Sequence, residues 1–179
     1  MTISPSVLID TDLPLPSFIR GKVRDTYELG NLLLIVATDR ISAFDSVLPC
    51  GIPDKGLVLN QLSTFWFRQT ADLVPNHLVA AVDDVHCLDT YLPVESRFSY
   101  PPYLAGRSMV VKKVKRLPVE CVVRGYLAGS GWAEYQQSDI VSGLPLPKGL
   151  KQSQELPKPI FTPTTKAASG HDQPISTDK

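Results

Sequence analysis

The sequence has no excess of either charge and no long apolar run. Its 179 residues carry 18 Lys plus Arg and 18 Asp plus Glu, so the formal net charge at pH 7 is zero. A protein that binds nucleic acid or an acidic membrane surface non-specifically needs an excess of positive charge. The longest purely apolar run, Leu32 to Ala37, is far shorter than the roughly 20 residues of a membrane-spanning helix. We therefore expect no nucleic-acid partner and no membrane partner.

Cysteine and histidine are also sparse. The three cysteines are Cys50, Cys87 and Cys121. An odd number at wide spacing fits neither a disulfide framework nor the paired ligands of a zinc site, and the three histidines form no HxxxH or HExxH pattern. The first ten residues hold no basic residue ahead of an apolar stretch, as a secretory signal would. We expect incidental thiols, no His or Cys metal site, and a cytoplasmic location.

Proline is plentiful, and the apolar pattern of the first half predicts short strands. The 16 prolines recur at segment ends, which favours short elements separated by turns. Alternating runs predict a β-meander with strands at 18–21, 22–29, 32–38 and 44–48. The Gly30-Asn31 pair between two of these runs is a hairpin signal. Apolar residues at helical spacing from Leu57 to Leu73 predict one amphipathic helix.

The second half carries weaker patterns. The apolar runs Met109–Val111 and Val119–Val123 predict buried strands on either side of a basic stretch. Ser130 is expected to cap a short helix that runs to Gln137, because a serine hydroxyl can accept from an amide of the first turn. After Ser142 six prolines interrupt the chain. That composition indicates either an ordered region of loops and strands that needs a partner, or a frayed tail.

The segment Gly21-Lys22-Val23-Arg24-Asp25 is the first candidate for chemistry. Lys22 and Arg24, two apart on a predicted strand, would point to one face and could hold an anionic phosphate chain. The segment matches neither the Walker pattern nor the dinucleotide fingerprint. A solvated strand face explains the same residues, so both interpretations stay open.

Dense polar groups follow the apolar strand at residues 32–38. In the run 38–45, Ser42 and Asp45 could hydrogen-bond ribose or amide groups, because functional side chains concentrate on loops held by a rigid scaffold. Turn-forming hydrogen bonds of Asp and Ser explain these residues equally well without any function.

A local positive charge lies between residues 107 and 116, which contain five basic residues and no acidic one. This stretch is either an anion-binding surface or a basic strand edge that discourages aggregation. Arg124 differs, because it precedes a glycine-rich loop that leads to the helix start at Ser130. A guanidinium there favours bidentate binding of a phosphate or a carboxylate. Further on, residues 164–173 bring a cation, an imidazole and a carboxylate close together in sequence, although composition alone predicts a solvated loop.

In this order, the segments resemble the SAICAR synthetase family, the phosphoribosylaminoimidazole-succinocarboxamide synthases of purine biosynthesis. The matching motifs are GKVRDTYE, ATDRISAFDSVLP, KGLVLNQLSTFWF, VECVVRGYLAGSGWAEY and FTPTTKAASGHDQPIS. They extend from Gly21 to Ser176, nearly the whole chain, and several are long and unusual. The resemblance implies an ATP-dependent carbon–nitrogen ligase that joins L-aspartate to carboxyaminoimidazole ribotide and releases ADP and phosphate. Its implied cofactors are ATP, as co-substrate, and Mg²⁺.

The resemblance also implies a fold and a set of partners. The expected class is α+β, with a small antiparallel β lobe that binds the nucleotide, as in kinases, followed by a larger α+β lobe. We expect the ATP-binding lobe at 1–117 and the start of the second lobe at 118–179. The expected partners are small molecules, namely the ribotide, L-aspartate and ATP, and a homo-oligomer is left open.

Roles for individual residues are carried over from the family by position. ATP binding is implied for Lys22, Arg24, Lys112 and Glu120, where the stretch from Lys112 to Glu120 is similar to the strand and hinge that face adenine. Substrate binding is implied for Ser42, Asp45, Arg124 and Ser130. A catalytic position near the reacting groups is implied for Lys166, His171 and Asp172.

The resemblance further implies that family chains continue beyond the GHD motif, with acidic residues that bind magnesium. We therefore expect the second lobe to be truncated and its magnesium ligands to remain unidentified. Gln173 also stands where many members carry a carboxylate. The alternative function is a non-catalytic or partner-dependent fragment that binds a nucleotide or the ribotide.

Overall fold

The protein, as a computed structural model, is described at residues 7–44, 46–166 and 173–176. It has an α+β fold, as expected, and all its paired strands in the described ranges are antiparallel. The chain divides into two compact units, Met1–Val114 and Lys115–Lys179. The expected boundary after residue 117 lies three residues beyond this division. No helix in the described ranges is long and apolar enough to cross a membrane.

Seven strands and one long helix build the first unit. The strands are β1 (Ser17–Arg20), β2 (Arg24–Leu29), β3 (Leu32–Ala37), β4 (Arg40–Ala43), β5 (Ser46–Gly51), β6 (Leu78–Ala81) and β7 (Ser108–Lys112). Five of them form one sheet in the order β1-β2-β3-β7-β6, and β4 pairs with β5 separately. Leu29 pairs with Leu32, so the predicted two-residue turn at Gly30-Asn31 is confirmed.

The predicted strand at 44–48 is wrong at its start. Phe44 lies in the turn between β4 and β5, with φ at 49° and its side chain fully exposed. Ala43 and Ser46 are paired across this turn. The prediction treated residues 44–48 as one strand, whereas the chain reverses direction between Ala43 and Ser46.

Helix α1 (Lys55–Gln69) confirms the predicted helix but begins and ends earlier than Leu57 to Leu73. Its polar side faces the protein, and the buried residues of this helix are Gly56, Asn60 and Thr64. Its apolar side is largely exposed, with half-exposed side chains at Val58, Leu59, Leu62, Phe65 and Trp66. The inner face is therefore formed by small and amide side chains that let the helix approach the sheet closely.

Apolar side chains pack on both faces of the five-stranded sheet. One face carries the larger core, in which Leu34, Val36 and Val110 pack with Leu88 and Leu104 from the segment between β6 and β7. The opposite face carries a smaller cluster of Leu33, Met109 and Val111, on which the half-buried Ile35, Phe67 and Leu78 pack. Because successive side chains of a strand alternate between faces, β3 and β7 supply both clusters.

The second unit is built from short strands around one helix. Its elements are β8 (Val119–Glu120), β9 (Val123–Tyr126), α2 (Ser130–Ser138), β10 (Ile140–Val141), β11 (Leu144–Pro145), β12 (Glu155–Phe161) and β13 (Thr164–Thr165). Three pairs form, β9 with β12, β8 with β13, and β10 with β11. The core contains Leu127, Tyr135, Val141 and Leu156. Described residues after Ser142 therefore form strands and turns, which agrees with the loops and strands of the first predicted alternative, and the need for a partner stays a prediction.

Two sequence predictions for this unit are wrong. The run Val119–Val123 is not one buried strand, because it spans β8 and the start of β9 and exposes Val119 and Val123. Ser130 does not cap α2 either: Gly129 occupies the cap position, and no side chain makes a capping hydrogen bond there. The Ser130 hydroxyl accepts from Arg124 instead.

Candidate functional site

The loop that joins β1 to β2 carries Lys22 and Arg24. Both side chains are exposed. Lys22 lies in a bend and Arg24 is the first residue of β2, so the prediction that both stand on one strand is wrong. The alternation of side chains along a strand therefore does not place Lys22 and Arg24 on one face. Their role in phosphate binding stays a prediction.

Beside this loop, a cavity of about 230 Å³ lies between the sheet and α1. Its apolar wall consists of Val23, Ile35, Ala37, Leu59 and Met109. Its polar groups are Arg24, Thr38, Lys55, Asn60 and Ser63. The combination of an apolar wall with two cationic side chains suits a ligand that has a flat apolar part and an anionic part.

The sequence reasoning missed three polar residues of this cavity, Lys55, Asn60 and Ser63. All three belong to α1 and to the motif KGLVLNQLSTFWF, which supported the family resemblance without any site residue being selected from it. Asn60 is buried and donates to the carbonyls of Gly106 and Ser108 at 2.9 and 3.2 Å. Its amide oxygen has no protein partner among the described residues. A buried acceptor without a partner is costly, so this oxygen can accept from a ligand or a water.

Arg24 affects the pKa of His77. Burial lowers the pKa of His77, and the positive charge of Arg24 lowers it further. The imidazole packs edge-on against Phe67, with 5.0 Å between the ring centroids. We therefore expect His77 to be neutral at pH 7 and to add no positive charge near Arg24.

The β4–β5 hairpin holds the predicted substrate residue Ser42. Ser42 is half-buried and stands opposite Val47 in the hairpin. Asp45 lies outside the described residues. No contact among the described residues joins Ser42 to the cavity, and the roles of Ser42 and Asp45 stay predictions.

Arg124 and Ser130 are brought together in the second unit, around the turn between β9 and α2. The guanidinium donates through Nη2 to the Ser130 hydroxyl at 2.9 Å and through Nε to the Thr162 hydroxyl at 3.0 Å. Nη1 donates to the Ala128 carbonyl at 3.3 Å. A Cβ at Gly131 would lie 3.2 Å from the Arg124 side chain, so the absence of a side chain there makes room for it.

The geometry around Arg124 orients its guanidinium through neutral acceptors. Its partners are hydroxyl and carbonyl oxygens, and no carboxylate hydrogen bond to it exists in the described ranges. The side chain is half-buried. A guanidinium held by neutral acceptors keeps its charge for an anion, which is the chemistry needed to bind a phosphate or a carboxylate.

Two further predicted residues are paired with each other. The Lys166 ammonium lies 2.9 Å from a carboxylate oxygen of Glu120, where β13 runs beside β8. Lys112, in contrast, ends β7 in the first unit, and residues 113–118 form neither helix nor strand. His171 and Asp172 lie outside the described residues. In the described parts of the chain, no three His, Cys, Asp or Glu residues lie close enough together to hold a metal ion.

Comparison with known proteins adds relatives of known identity. A family model described as SAICAR synthetase matches residues 17–179. The phosphoribosylaminoimidazole-succinocarboxamide synthase of Geotalea uraniireducens (strain Rf4) is 54% identical over 176 residues, which are 97% of this chain and 57% of that protein. The chain thus spans a little over half the length of this curated relative.

Solved structures agree with these relatives. A structure described as SAICAR synthase from Saccharomyces cerevisiae complexed with SAICAR is 47% identical, with a TM-score of 0.80, and the match covers 94% of this chain and 56% of that one. Another, described as SAICAR synthetase (Type-2) in complex with ADP, is 21% identical with a TM-score of 0.61 and covers 89% and 54%. At that identity the second structure supports the fold alone.

Proposed function

The chain belongs to the SAICAR synthetase family, and we propose that it takes part in the ATP-dependent joining of L-aspartate to carboxyaminoimidazole ribotide. The products of this carbon–nitrogen ligase reaction are SAICAR, ADP and phosphate, within de novo purine biosynthesis in the cytoplasm. The observation that carries the proposal is the similarity to the yeast structure described as complexed with SAICAR, at 47% identity over 94% of this chain.

The proposed chemistry needs an activated carboxylate. Oxide is a poor leaving group, so the ribotide carboxylate first attacks the γ-phosphorus of ATP, which forms an acyl phosphate and releases ADP. The aspartate amine then attacks the acyl carbon, loses a proton, and expels phosphate as the amide bond forms. The protein contributes by positioning the reactants and neutralising their charge.

ATP binding is proposed for Lys22, Arg24 and Lys112 of the first unit and for Glu120 of the second, all four retained from the family. The cavity beside α1 supports this placement, since it joins an apolar wall to the cations Arg24 and Lys55. We add Lys55 to the proposed set, because Lys55 and Arg24 both line this cavity. A kinase-like role for this β-rich unit is part of the same proposal.

Ribotide binding is proposed at Arg124 and Ser130, with Ser42 and Asp45 as further substrate contacts. The hydrogen bond between the first two supports this, because the guanidinium is already oriented and no described carboxylate accepts a hydrogen bond from it. Arginine presents two parallel N–H groups that match a phosphate or a carboxylate.

Groups near the reacting atoms are proposed at Lys166, His171 and Asp172. The Lys166–Glu120 ion pair supports the role of Lys166, because an ammonium that binds a carboxylate can bind a phosphate in its place. Mg²⁺ is proposed as the counter-ion of ATP, but the described residues offer no cluster that fits it, and no ligand is assigned. A homo-oligomer remains a prediction.

A second candidate function is a non-catalytic or partner-dependent fragment that binds a nucleotide or the ribotide. The observation that favours it is length, because the chain spans 57% of the curated relative and 56% of the yeast structure. Family chains of that greater length include residues that have no counterpart here.

The test is an ADP-release assay on the purified 179-residue chain with ATP, Mg²⁺, L-aspartate and the ribotide, each omitted in turn. Release of ADP that requires both aspartate and ribotide supports the ligase. If no turnover occurs, calorimetric titration with ATP and with SAICAR decides the second candidate. Binding without turnover supports the fragment, and binding of neither ligand contradicts both functions.

A further inference from the structure

Arg40 lies beneath the loop at residues 21–24 and binds its backbone. Its Nε donates to the Lys22 carbonyl at 3.1 Å, and its Nη2 donates to the Gly21 carbonyl at 2.9 Å. The Arg40 side chain is only 4% exposed. The loop that carries two of the proposed ATP ligands is therefore held from below by a buried guanidinium.

The other donors of Arg40 are also satisfied. Nη2 and Nη1 donate to the two carboxylate oxygens of Asp25 at 2.6 and 3.1 Å, and Nη1 donates to the Ile9 carbonyl at 2.6 Å. A guanidinium has five N–H donors, so each one has an acceptor within the protein. Burial raises the pKa of Asp25, but hydrogen bonds from Arg40 and Thr11 outweigh burial and lower it below its ordinary value. Arg40 is consequently neutralised and buried, which makes it unsuited to bind a ligand anion itself.

Thr38 extends the same arrangement by one residue. Its N–H and its hydroxyl both donate to the Val23 carbonyl, at 3.1 and 2.9 Å. The carbonyls of 21, 22 and 23 thus all point towards groups at the end of β3 and the start of β4. In a trans peptide, the carbonyl and the following N–H point in opposite directions. The N–H groups of residues 22–24 therefore face away from Arg40 and Thr38, and successive N–H groups in a turn are a type of backbone arrangement that binds anions.

We propose that Arg40 is a positioning residue for the nucleotide phosphates, because it holds the loop carbonyls inward and leaves the loop N–H groups, Lys22 and Arg24 to face the phosphates. This inference rests on the proposed function, in which that loop binds ATP. Without the guanidinium, the Gly21 and Lys22 carbonyls could turn outward, where their oxygens would repel phosphate oxygens. The proposal assigns Arg40 no contact with ATP.

The experiment compares the wild-type 179-residue chain with Arg40→Lys in calorimetric titrations with ATP and with SAICAR. Lysine keeps the positive charge, but its single ammonium cannot reproduce five donors in fork geometry. We expect the dissociation constant of ATP to rise at least tenfold and that of SAICAR to change less than twofold. The selective effect is expected because Arg124, the proposed ribotide ligand, lies in the other unit.

A matched control separates positioning from loss of stability. Val110→Ala opens a cavity in the fully buried core on the sheet face opposite α1, and Val110 makes no described hydrogen bond to the loop, Arg40 or Asp25. It should lower the midpoint of thermal unfolding while leaving the ATP affinity within twofold of wild type. If Arg40→Lys does not fold, Asp25→Asn replaces it, because that variant keeps Arg40 but removes the charge that orients it. The same selective loss of ATP affinity is expected.

Three outcomes overturn the inference, and they show whether the proposed function fails with it. If the wild type binds ATP and the variant binds it equally well, or if ATP and SAICAR affinities fall together, Arg40 has no positioning role while the proposed function stands. If the wild type binds no ATP, the proposed nucleotide site fails and the inference fails with it.

Discussion

The guanidinium of Arg124 donates to the Ser130 hydroxyl at 2.9 Å across the turn that joins β9 to α2. A second hydrogen bond, from Nε to Thr162, fixes the guanidinium plane from the side of β12. Holding a long side chain in one geometry costs conformational entropy, and this cost is met in the folded protein before any ligand arrives. Arg124 is therefore oriented in advance for an anion.

Replacing Arg124 with alanine tests this orientation. We expect Arg124→Ala to weaken ribotide binding by about 10- to 100-fold, which corresponds to the roughly 1.5–3 kcal/mol of a charged hydrogen bond. ATP affinity should change less than threefold. Calorimetry with SAICAR and with ATP measures both. Lys151→Ala, which removes an exposed cation from the same unit, is the control and should alter neither affinity. Equal losses for both ligands would remove the proposed role of Arg124.

Replacing Lys22 with alanine tests the loop between β1 and β2. The exposed ammonium is proposed to bind ATP phosphates, so its loss should weaken ATP binding by about tenfold, the effect of one charged contact. SAICAR affinity and the midpoint of thermal unfolding should stay near the wild-type values, because the side chain is exposed. Lys158→Ala removes an exposed lysine from the second unit and serves as the control. Unchanged ATP affinity in Lys22→Ala would return this loop to its structural interpretation.

The sequence predicted those helices and strands whose local pattern of apolar and turn residues matches the way they pack in the fold. The β2–β3 hairpin was predicted because alternation and the Gly30-Asn31 turn specify the same register. The helix at 55–69 was predicted from spacing, but the face that it buries was not. Which face packs inward depends on long-range contacts, such as the hydrogen bond from the Gly56 N–H to Asp39, and no local pattern encodes them.

The candidate site was predicted in part for a similar reason. Arg124 and Ser130 lie six residues apart, and the glycine-rich sequence between them indicates a tight turn, so their proximity could be anticipated. Arg40 could not be selected, although it stands in one of the quoted motifs, because arginine is rarely buried and sequence alone does not reveal its partner Asp25. Lys55 was missed because it begins a helix whose apolar spacing indicated a packing role and no binding role.

Asp39 makes the free energy of unfolding depend on pH. Burial raises its pKa, but hydrogen bonds from Arg107 and from the N–H groups of Leu8 and Gly56 outweigh burial, so the pKa lies below the ordinary 3.8. A carboxylate with a lowered pKa stabilises the fold above its unfolded pKa and loses this effect as pH falls through the folded value. The free energy of unfolding should therefore fall as pH drops below 3.8.

The variant Asp39→Asn should remove part of this dependence. At pH 7 it leaves the buried Arg107 without its closest carboxylate, and we expect the free energy of unfolding to fall by about 3 kcal/mol. Below pH 3.8 the difference from wild type should shrink. Urea unfolding at pH 7, 5 and 3 measures this, with the exposed Asp72→Asn as a control that stays within about 0.5 kcal/mol of wild type. A difference that stays constant over this pH range would contradict the assignment.

Gly56 marks the closest approach of α1 to the sheet. An alanine in an exposed helix interior stabilises a protein relative to glycine by about 0.5–1 kcal/mol. At this position, however, a Cβ would come within 2.8 Å of the backbone of Ala37. Backbone atoms of a central strand cannot move aside as the end of a flexible side chain can. We therefore expect Gly56→Ala to destabilise the protein by about 1–3 kcal/mol, against the helix propensity of alanine.

The same substitution at Gly125 is the control, since a Cβ there meets nothing within 4 Å. Gly125→Ala should leave the free energy of unfolding within about 0.5 kcal/mol of wild type, as measured by urea unfolding of both variants. Because α1 carries Lys55 and Asn60 into the cavity, a helix displaced by the new methyl should also weaken ATP binding. A Gly56→Ala variant as stable as wild type, with unchanged ATP affinity, would show that the contact between α1 and β3 is looser than its geometry indicates.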